Sequence, residues 1–261
     1  MPKHFLPIGL VLLLVSALYS QRNVSFSTEE YFGGGIGYTP TFLLFNLAEA
    51  FPFNSLGSAP DDTGLLGAQG LNFTSDDIDK LGNILVIHGA EGFGNISGNW
   101  RIGAYVGLGS KSIARRDTAT DLRVDLKVTL MTGSASLEYV IPLFNNLEIS
   151  AGSLFGFSRA VIQFAKKDVE PGWDDQFSFN NINPDNYSVA LSGIFFSFQP
   201  YVAVKLQFLD RAGLRISGGY HVGTLAEDKW TLNGLVKILP DAEEGSNFNA
   251  PAVRVMLYLG I

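Results

Sequence analysis

The chain has 261 residues, a formal net charge of −7 and no cysteine, which excludes a disulfide scaffold, a thiolate metal site and a cysteine nucleophile. The acidic balance argues against binding to duplex nucleic acid, which requires a basic surface. Glycine is abundant at 29 residues, whereas only 16% of residues are charged, against about 25% in an ordinary soluble domain. This composition is unlike that of a routine cytosolic enzyme.

The first twenty residues predict an export signal. Basic Lys3 precedes an almost wholly apolar run from Phe5 to Ala17, and small residues stand at Ser16, Ala17 and Ser20. This order of charged, apolar and small residues is typical of a secretory signal peptide, and cleavage after Ala17 or after Ser20 would fit it. We therefore predict a signal peptide over residues 1–20 and a single domain over residues 21–261.

The rest of the chain shows the alternation of apolar and polar residues that predicts β-strands. The clearest run is Asp121 to Met131, in which every second residue is apolar. The predicted strands are Tyr31–Phe45, Asn83–Ile96, Asn99–Ile113, Asp121–Ile141, Asn146–Ala165, Val189–Leu209, Gly213–Val222 and Ala250–Ile261.

Two positions predict irregular strands. The apolar residues of the fourth strand change from even to odd numbers near Gly133, which predicts a β-bulge there. Pro200 lies inside the sixth strand, and proline has no N–H group to donate to a neighbouring strand. We therefore expect the sixth strand either to bulge at Pro200 or to break in two.

Long and short connections alternate along the chain. Short turns are predicted at Ser97–Gly98, Pro142–Asn145 and Asp210–Ala212, and the connections between them are longer. This sorting is typical of outer-membrane barrels, which have short periplasmic turns and longer outer loops. In the first long connection, Thr74–Gly82 has the caps of a short helix.

These patterns together resemble small bacterial outer-membrane β-barrel proteins. The last strand, Ala252–Ile261, resembles the C-terminal signal read by the barrel-assembly machinery, with Tyr258 as its aromatic residue and Ile261 as its terminal residue. The resemblance implies an all-β, antiparallel up-and-down transmembrane barrel of about eight strands (eight to ten), with long outer loops and a short helix in the first loop. It implies a place in the bacterial outer membrane, with membrane lipid and the assembly machinery as partners, and no cofactor.

The polar strand faces combine glycines with charged residues, and in a barrel they would face the lumen. Small inward residues would let a narrow barrel close. The predicted lumen charges are Arg101, Arg123, Asp125, Lys127, Glu138, Glu148, Lys205, Arg215, His221 and Arg254. They predict either an ionic plug or a narrow polar pore, and the small size of the barrel favours the plug.

Three functions are compatible with the sequence. The first is a non-enzymatic barrel of structural or surface type, with a minor narrow pore as its variant. The second is a soluble periplasmic, lipocalin-like barrel with an apolar ligand inside, which would need apolar residues inside and polar ones outside. The third is a lipid-modifying enzyme of the outer membrane, which would need a serine or an acid beside His88 or His221. We expect the first function, and we expect neither catalysis nor a metal site.

Overall fold

The computed structural model describes residues 34–44, 80–116, 122–144, 146–168, 187–226, 229–238 and 247–260. Its strands are β1 (Gly35–Tyr38), β2 (Thr41–Leu44), β3 (Ile84–Ser97), β4 (Trp100–Arg116), β5 (Leu122–Phe144), β6 (Leu147–Asp168), β7 (Tyr187–Leu209), β8 (Ala212–Leu225), β9 (Trp230–Leu232), β10 (Val236–Ile238) and β11 (Asn247–Gly260). Within these ranges, no helix is both long enough and apolar enough to cross a membrane.

The strands close into an antiparallel barrel. Each strand from β3 to β8 pairs with the next one, and β8 pairs with β11. β1 and β2 together form one interrupted strand, because both pair with β11 on one side and with β3 on the other. The ring therefore has eight strands, and the predicted all-β barrel is confirmed.

The strands are tilted and unequal in length. Following the pairs once around the ring, the path starts at Asn99, the residue directly before β4, and returns to β4 at Gly109, ten residues further along the chain. A stagger of this kind requires a strand tilt of roughly 35–45°, so that each residue climbs roughly 2.5 Å along the barrel axis. β5, β6 and β7 have 23, 22 and 23 residues, and they extend beyond the 14-residue β3, β8 and β11.

The short turns all lie at one end of the barrel, which we call the short-turn end, and the opposite end is the long-loop end. Two residues each separate β3 from β4, β5 from β6 and β7 from β8. The predicted turns at Ser97–Gly98, Pro142–Asn145 and Asp210–Ala212 coincide with these connections. The prediction that the short connections share one end is therefore confirmed.

The outer face of the barrel changes character along its length. On β4 the outward side chains are apolar from Trp100 to Leu108, and polar or small from Ser110 to Arg116. The apolar part continues around the ring, and we call it the apolar band. Its large exposed side chains are Ile36, Tyr38, Trp100, Ile102, Val106, Leu108, Met131, Leu137, Tyr139, Ile141, Phe155, Phe157, Ile194, Phe196, Phe198, Val202, Val204, Ile216, Tyr220, Val253, Leu257 and Leu259.

The interior changes in the opposite sense. Behind the apolar band, the buried side chains include charged and hydroxyl groups. Toward the long-loop end they form an apolar cluster, which we call the upper core. Its members include Leu43, Leu85, Ile87, Val124, Leu126, Val128, Leu130, Ala160, Ile162, Phe164, Leu191, Phe195, Leu225, Trp230, Phe248 and Ala250. The barrel is thus polar inside where it is apolar outside, and apolar inside where its outer wall is polar.

This exchange explains why the predicted bulge at Gly133 is wrong. Gly133 pairs with Val106 on one side and Phe157 on the other, and the register does not change along β5 from Arg123 to Tyr139. Even-numbered residues face inward along the strand from Leu122 to Val140. The apolar side chains change from the inner face of β5 to its outer face near Gly133, while the backbone stays regular.

The expected bulge or break at Pro200 is also wrong. β7 runs without interruption, and Pro200 pairs with Ser153 of β6. The pairing with β8 omits Gln199 and Pro200 and resumes at Tyr201 in the same register. The missing N–H group therefore falls in a local gap of the ladder, which a long strand with many other hydrogen bonds tolerates.

A short hairpin, β9–β10, was not predicted. Its turn contains Asn233 and Gly234, which have positive φ angles of 48° and 73°. Asn233 also bonds to both backbone groups of Ala190 on β7, accepting from its N–H and donating to its C=O. The Asn-Gly pair between alternating residues is a strong hairpin signal, and it could have revealed this element.

Inward glycines make room for aromatic rings. Tyr105 is buried in the lumen, and a Cβ atom placed on Gly89 or Gly107 would lie only 2.6 Å from its side chain. Larger residues at either position would displace the ring. These glycines therefore serve the packing of Tyr105 as well as the closure of a narrow barrel.

Some predictions fall outside the described residues. The signal peptide over residues 1–20, most of the helix predicted at Thr74–Gly82, and Ile261 of the C-terminal signal belong to this group. Tyr258, the other residue of that signal, is buried inside the barrel, while Leu257 and Leu259 face outward.

Candidate functional site: a charge network in the lumen

A network of buried charges occupies the part of the lumen behind the apolar band. Glu138 on β5 lies at its centre and is fully buried. Its Oε2 accepts hydrogen bonds from Arg215 Nη2 at 2.7 Å and from Ser150 Oγ at 2.8 Å. Its Oε1 lies 3.5 Å from Arg101 Nη1. One carboxylate therefore connects strands β4, β6 and β8.

Two more glutamates extend the network in opposite directions. Glu91 on β3 pairs with Arg215 through one oxygen and with Arg254 Nη1, at 3.2 Å, through the other. Glu148 on β6 accepts from Arg101 Nη1 at 2.6 Å and lies 3.1 Å from Lys205 Nζ. Each glutamate therefore contacts two cations, which is the pairing that buried charges require.

Aromatic rings fill the space between the charges. The guanidinium of Arg101 lies 4.7 Å from the ring centroid of Phe93, and that of Arg254 lies 4.4 Å from the centroid of Tyr201. Lys205 Nζ lies 5.5 Å from the Phe93 centroid. At these distances the rings attract the cations and also exclude water. The network is therefore a packed layer of ions and rings.

The structure places seven of the ten predicted lumen charges inside the barrel and three outside. Those inside are Arg101, Glu138, Glu148, Lys205, Arg215, His221 and Arg254. Arg123, Asp125 and Lys127 lie on the outer face of β5, and their lumen assignment is wrong. The assignment assumed that polar faces point inward, which holds behind the apolar band but is reversed at the height of the upper core.

The outward carboxylate of Asp125 pairs with two neighbouring cations. It lies 2.6 Å from Arg123 Nε and 2.8 Å from Lys167 Nζ. Partial burial alone would raise the pKa of Asp125, but the hydrogen bonds from Lys167 and Arg123 outweigh it and hold the pKa below its ordinary value. Asp125 is therefore ionised at neutral pH.

The charge layer contains residues that the sequence analysis did not select. Glu91 is the most important, since it joins two arginines that lie far from it along the chain. It shares its face of β3 with Ile87 and Phe93, so the alternation of that strand does not mark the face as polar. Its partners on β8 and β11 become neighbours only when the barrel closes.

A small cavity separates the charge layer from the upper core. It has a volume of about 20 Å³, which is room for one water molecule. Thr41 and Tyr105 share a hydrogen bond of 2.8 Å in its lining, and Ser158 and Ser197 share one of 2.7 Å. His221 also lines it, and its Nε2 atom has no hydrogen-bond partner.

A lipid-modifying site of the kind considered above would have to form at one of the two described histidines. His88 faces outward in the apolar band, and its Nδ1 shares a 2.5 Å hydrogen bond with Tyr38 Oη. His221 is buried, with its ring centroid 5.0 Å from that of Phe248. Among the residues with described positions, no serine or acid hydrogen-bonds to either ring, and no group of three or more potential metal ligands occurs.

The comparisons with known proteins concern the fold. No family model matches the chain, and no curated protein matches it. Among solved structures, Ail, the attachment invasion locus protein of Yersinia pestis, is 10% identical, with a TM-score of 0.36 and coverage of 87% of this chain and 94% of that chain. CarO2 of Acinetobacter baumannii is 11% identical, with a TM-score of 0.33 and coverage of 67% and 92%. The chain is similar to these two proteins among the solved structures, and its own strand pairing shows the antiparallel barrel of eight strands that the sequence predicted.

Proposed function

We propose that this chain is a bacterial outer-membrane barrel with a closed lumen, and that it acts as a structural or surface protein. The observation that carries the proposal is the exchange of polar and apolar faces at one height of the barrel. Near the long-loop end the outer wall is polar and the interior is apolar, which is the arrangement expected where water surrounds the barrel. Lipid outside accounts for the exposed apolar band, which would be unfavourable in water over so large a surface.

The dimensions of the apolar band support a membrane position. On β4 it extends from Trp100 to Leu108, which is roughly 20 Å along the barrel axis before the width of the side chains is added. Outer-membrane barrels have bands about 25 Å tall with aromatic residues at both edges. Trp100 and Tyr139 lie edge to face near the short-turn end, with centroids 5.3 Å apart, and Phe157 and Tyr220 lie near the other edge.

The lipocalin-like alternative has less support. A soluble barrel with an apolar ligand requires a polar wall and an apolar interior over its whole length. Behind the apolar band, the interior instead holds Glu138, Arg215 and Arg101, all almost fully buried. Only the upper core has the polarity of a lipocalin, and its side chains fill it.

Placing a charge in the apolar band tests the membrane position. Ala104→Arg, at the middle of the band on β4, is expected to destabilise the membrane-inserted barrel by about 2–4 kcal/mol, because the arginine would face lipid. The measurement is denaturant unfolding of the protein in phospholipid vesicles. Ala114→Arg is the matched control on the same strand and face, above the band and opposite Asp125, and we expect little change. Equal effects of the two substitutions would contradict the proposed position.

Conductance measurements test whether the lumen is closed. We expect the refolded protein to give no discrete conductance steps in a planar bilayer, because ion pairs and aromatic rings fill the lumen at the level of Glu138. A slower gel mobility after boiling would verify folding, and an open porin in the same bilayer is the positive control. Reproducible conductance steps from the folded protein would instead support the narrow pore.

A further inference from the structure

The outer wall above the apolar band is basic on one side of the barrel. Its outward cations on β4, β5 and β6 define what we call the basic wall: Arg116, Arg123, Lys127, Arg159 and Lys167. Along the described parts of these strands above the band, Asp125 is the only outward acid. The basic wall and its surroundings thus contain five cations and one carboxylate, although the chain as a whole has a formal charge of −7.

Like charges stand directly opposite each other within this wall. Arg123 pairs in register with Arg116 on one side and with Lys167 on the other. Like charges at directly opposed positions destabilise a sheet. Asp125 offsets part of the repulsion by pairing with Arg123 and Lys167.

The lower part of the wall borders the apolar band. Arg159 lies between Met131 on β5 and Ile194 on β7, whose side chains are 46% and 50% exposed on the outer face. Its long side chain can follow this apolar surface while the guanidinium extends to the band's edge. Lys127 lies higher on β5 and is also exposed. Neither cation has an ion pair or hydrogen bond with the residues that the structure describes.

We propose that the basic wall binds phosphate groups on the head groups of lipids in the outer leaflet. Phosphates lie immediately beyond the hydrocarbon layer, which is where Arg159 leaves the band, and Lys127 stands one step further out. Arginine forms paired hydrogen bonds with phosphate, and lysine supplies a point charge. Because the outward faces of β8 and β11 above the band carry no charge, the contact would be confined to one side of the barrel.

This inference rests on the proposed membrane position, and its test separates the two. The full mature chain would be refolded in zwitterionic detergent micelles, and its folding and insertion into phosphatidylcholine vesicles would be checked by gel mobility. The probe is diphosphoryl lipid A, compared with the same lipid after enzymatic dephosphorylation, and the readout is its affinity for the barrel.

We expect the unmodified barrel to prefer the phosphorylated lipid by about tenfold or more, and Lys127→Gln/Arg159→Gln to lose most of this preference. Arg211→Gln/Lys237→Gln, which removes two exposed cations outside the wall, should retain it. Failure to insert into vesicles would contradict the proposed function. Three results would contradict the lipid assignment alone, with the membrane position intact. The inserted barrel could bind both lipids with equal affinity, or the two double variants could lose the preference equally. The barrel could also bind a soluble sulfated polysaccharide more tightly than it binds the phosphorylated lipid.

Discussion

Glu138→Ala is expected to destabilise the folded barrel by about 3–5 kcal/mol, the range for removing one partner from a buried ion pair. The substitution would leave Arg215 and Ser150 without the acceptor that lies 2.7 and 2.8 Å away. It would also remove a carboxylate oxygen 3.5 Å from Arg101. No water can replace it easily, because both arginines are almost fully buried. Denaturant unfolding of the protein in vesicles would measure the loss.

Asp125→Ala provides the matched control for this effect. Asp125 lies on the same strand and also pairs with two cations, but those cations are 50% and 51% exposed. Exposed ion pairs contribute about 0–1 kcal/mol, so the control should unfold nearly like the unmodified protein. Similar losses for the two variants would show that burial does not set the strength of the network, and the interpretation of the lumen as a dry ionic plug would be wrong.

The architecture could be predicted because its signals are local. Alternation with a period of two depends on the geometry of each strand, and the lengths of the connections are read directly from the chain. Neither signal says which face of a strand points inward. The assumption that polar residues face the lumen is correct for Arg101 and Lys205 but wrong for Arg123, because the polar side chains change from the inner face to the outer face of the wall along the barrel.

The connections within the charge layer could not be predicted, because they depend on how the ring closes. Glu91 and Arg254 are 163 residues apart, and the stagger of the barrel brings them together. Glu91 stands among apolar residues and glycines, so its own strand marks it weakly. The hairpin β9–β10 differs, since its Asn233-Gly234 turn is a local signal that can be seen in the sequence even within a long connection.

Phe195→Ala in the upper core is expected to destabilise the protein by about 3–5 kcal/mol, the range for truncating a buried phenylalanine. Phe195 is fully buried, and its ring centroid lies 5.6 Å from that of Trp230 and 6.4 Å from that of Phe248. The rings belong to β7, β9 and β11, so their contacts tie the hairpin to the barrel. Thermal and denaturant unfolding would measure the effect.

Phe196→Ala is the control, because the next residue of the same strand faces outward in the apolar band and is 49% exposed. Lipid can fill the space that the smaller side chain leaves, so no cavity forms and its loss should be well below that of Phe195→Ala. If water surrounded this face instead, the exposed ring of Phe196 would also contribute little to stability. If Phe196 faced inward, however, Phe196→Ala would destabilise the protein more than Phe195→Ala. A larger loss for Phe196→Ala would therefore mean that β7 is inverted. An inverted β7 would turn Gln199 and Lys205 outward and its apolar residues into the charge layer, which would contradict both the closed lumen and the membrane position.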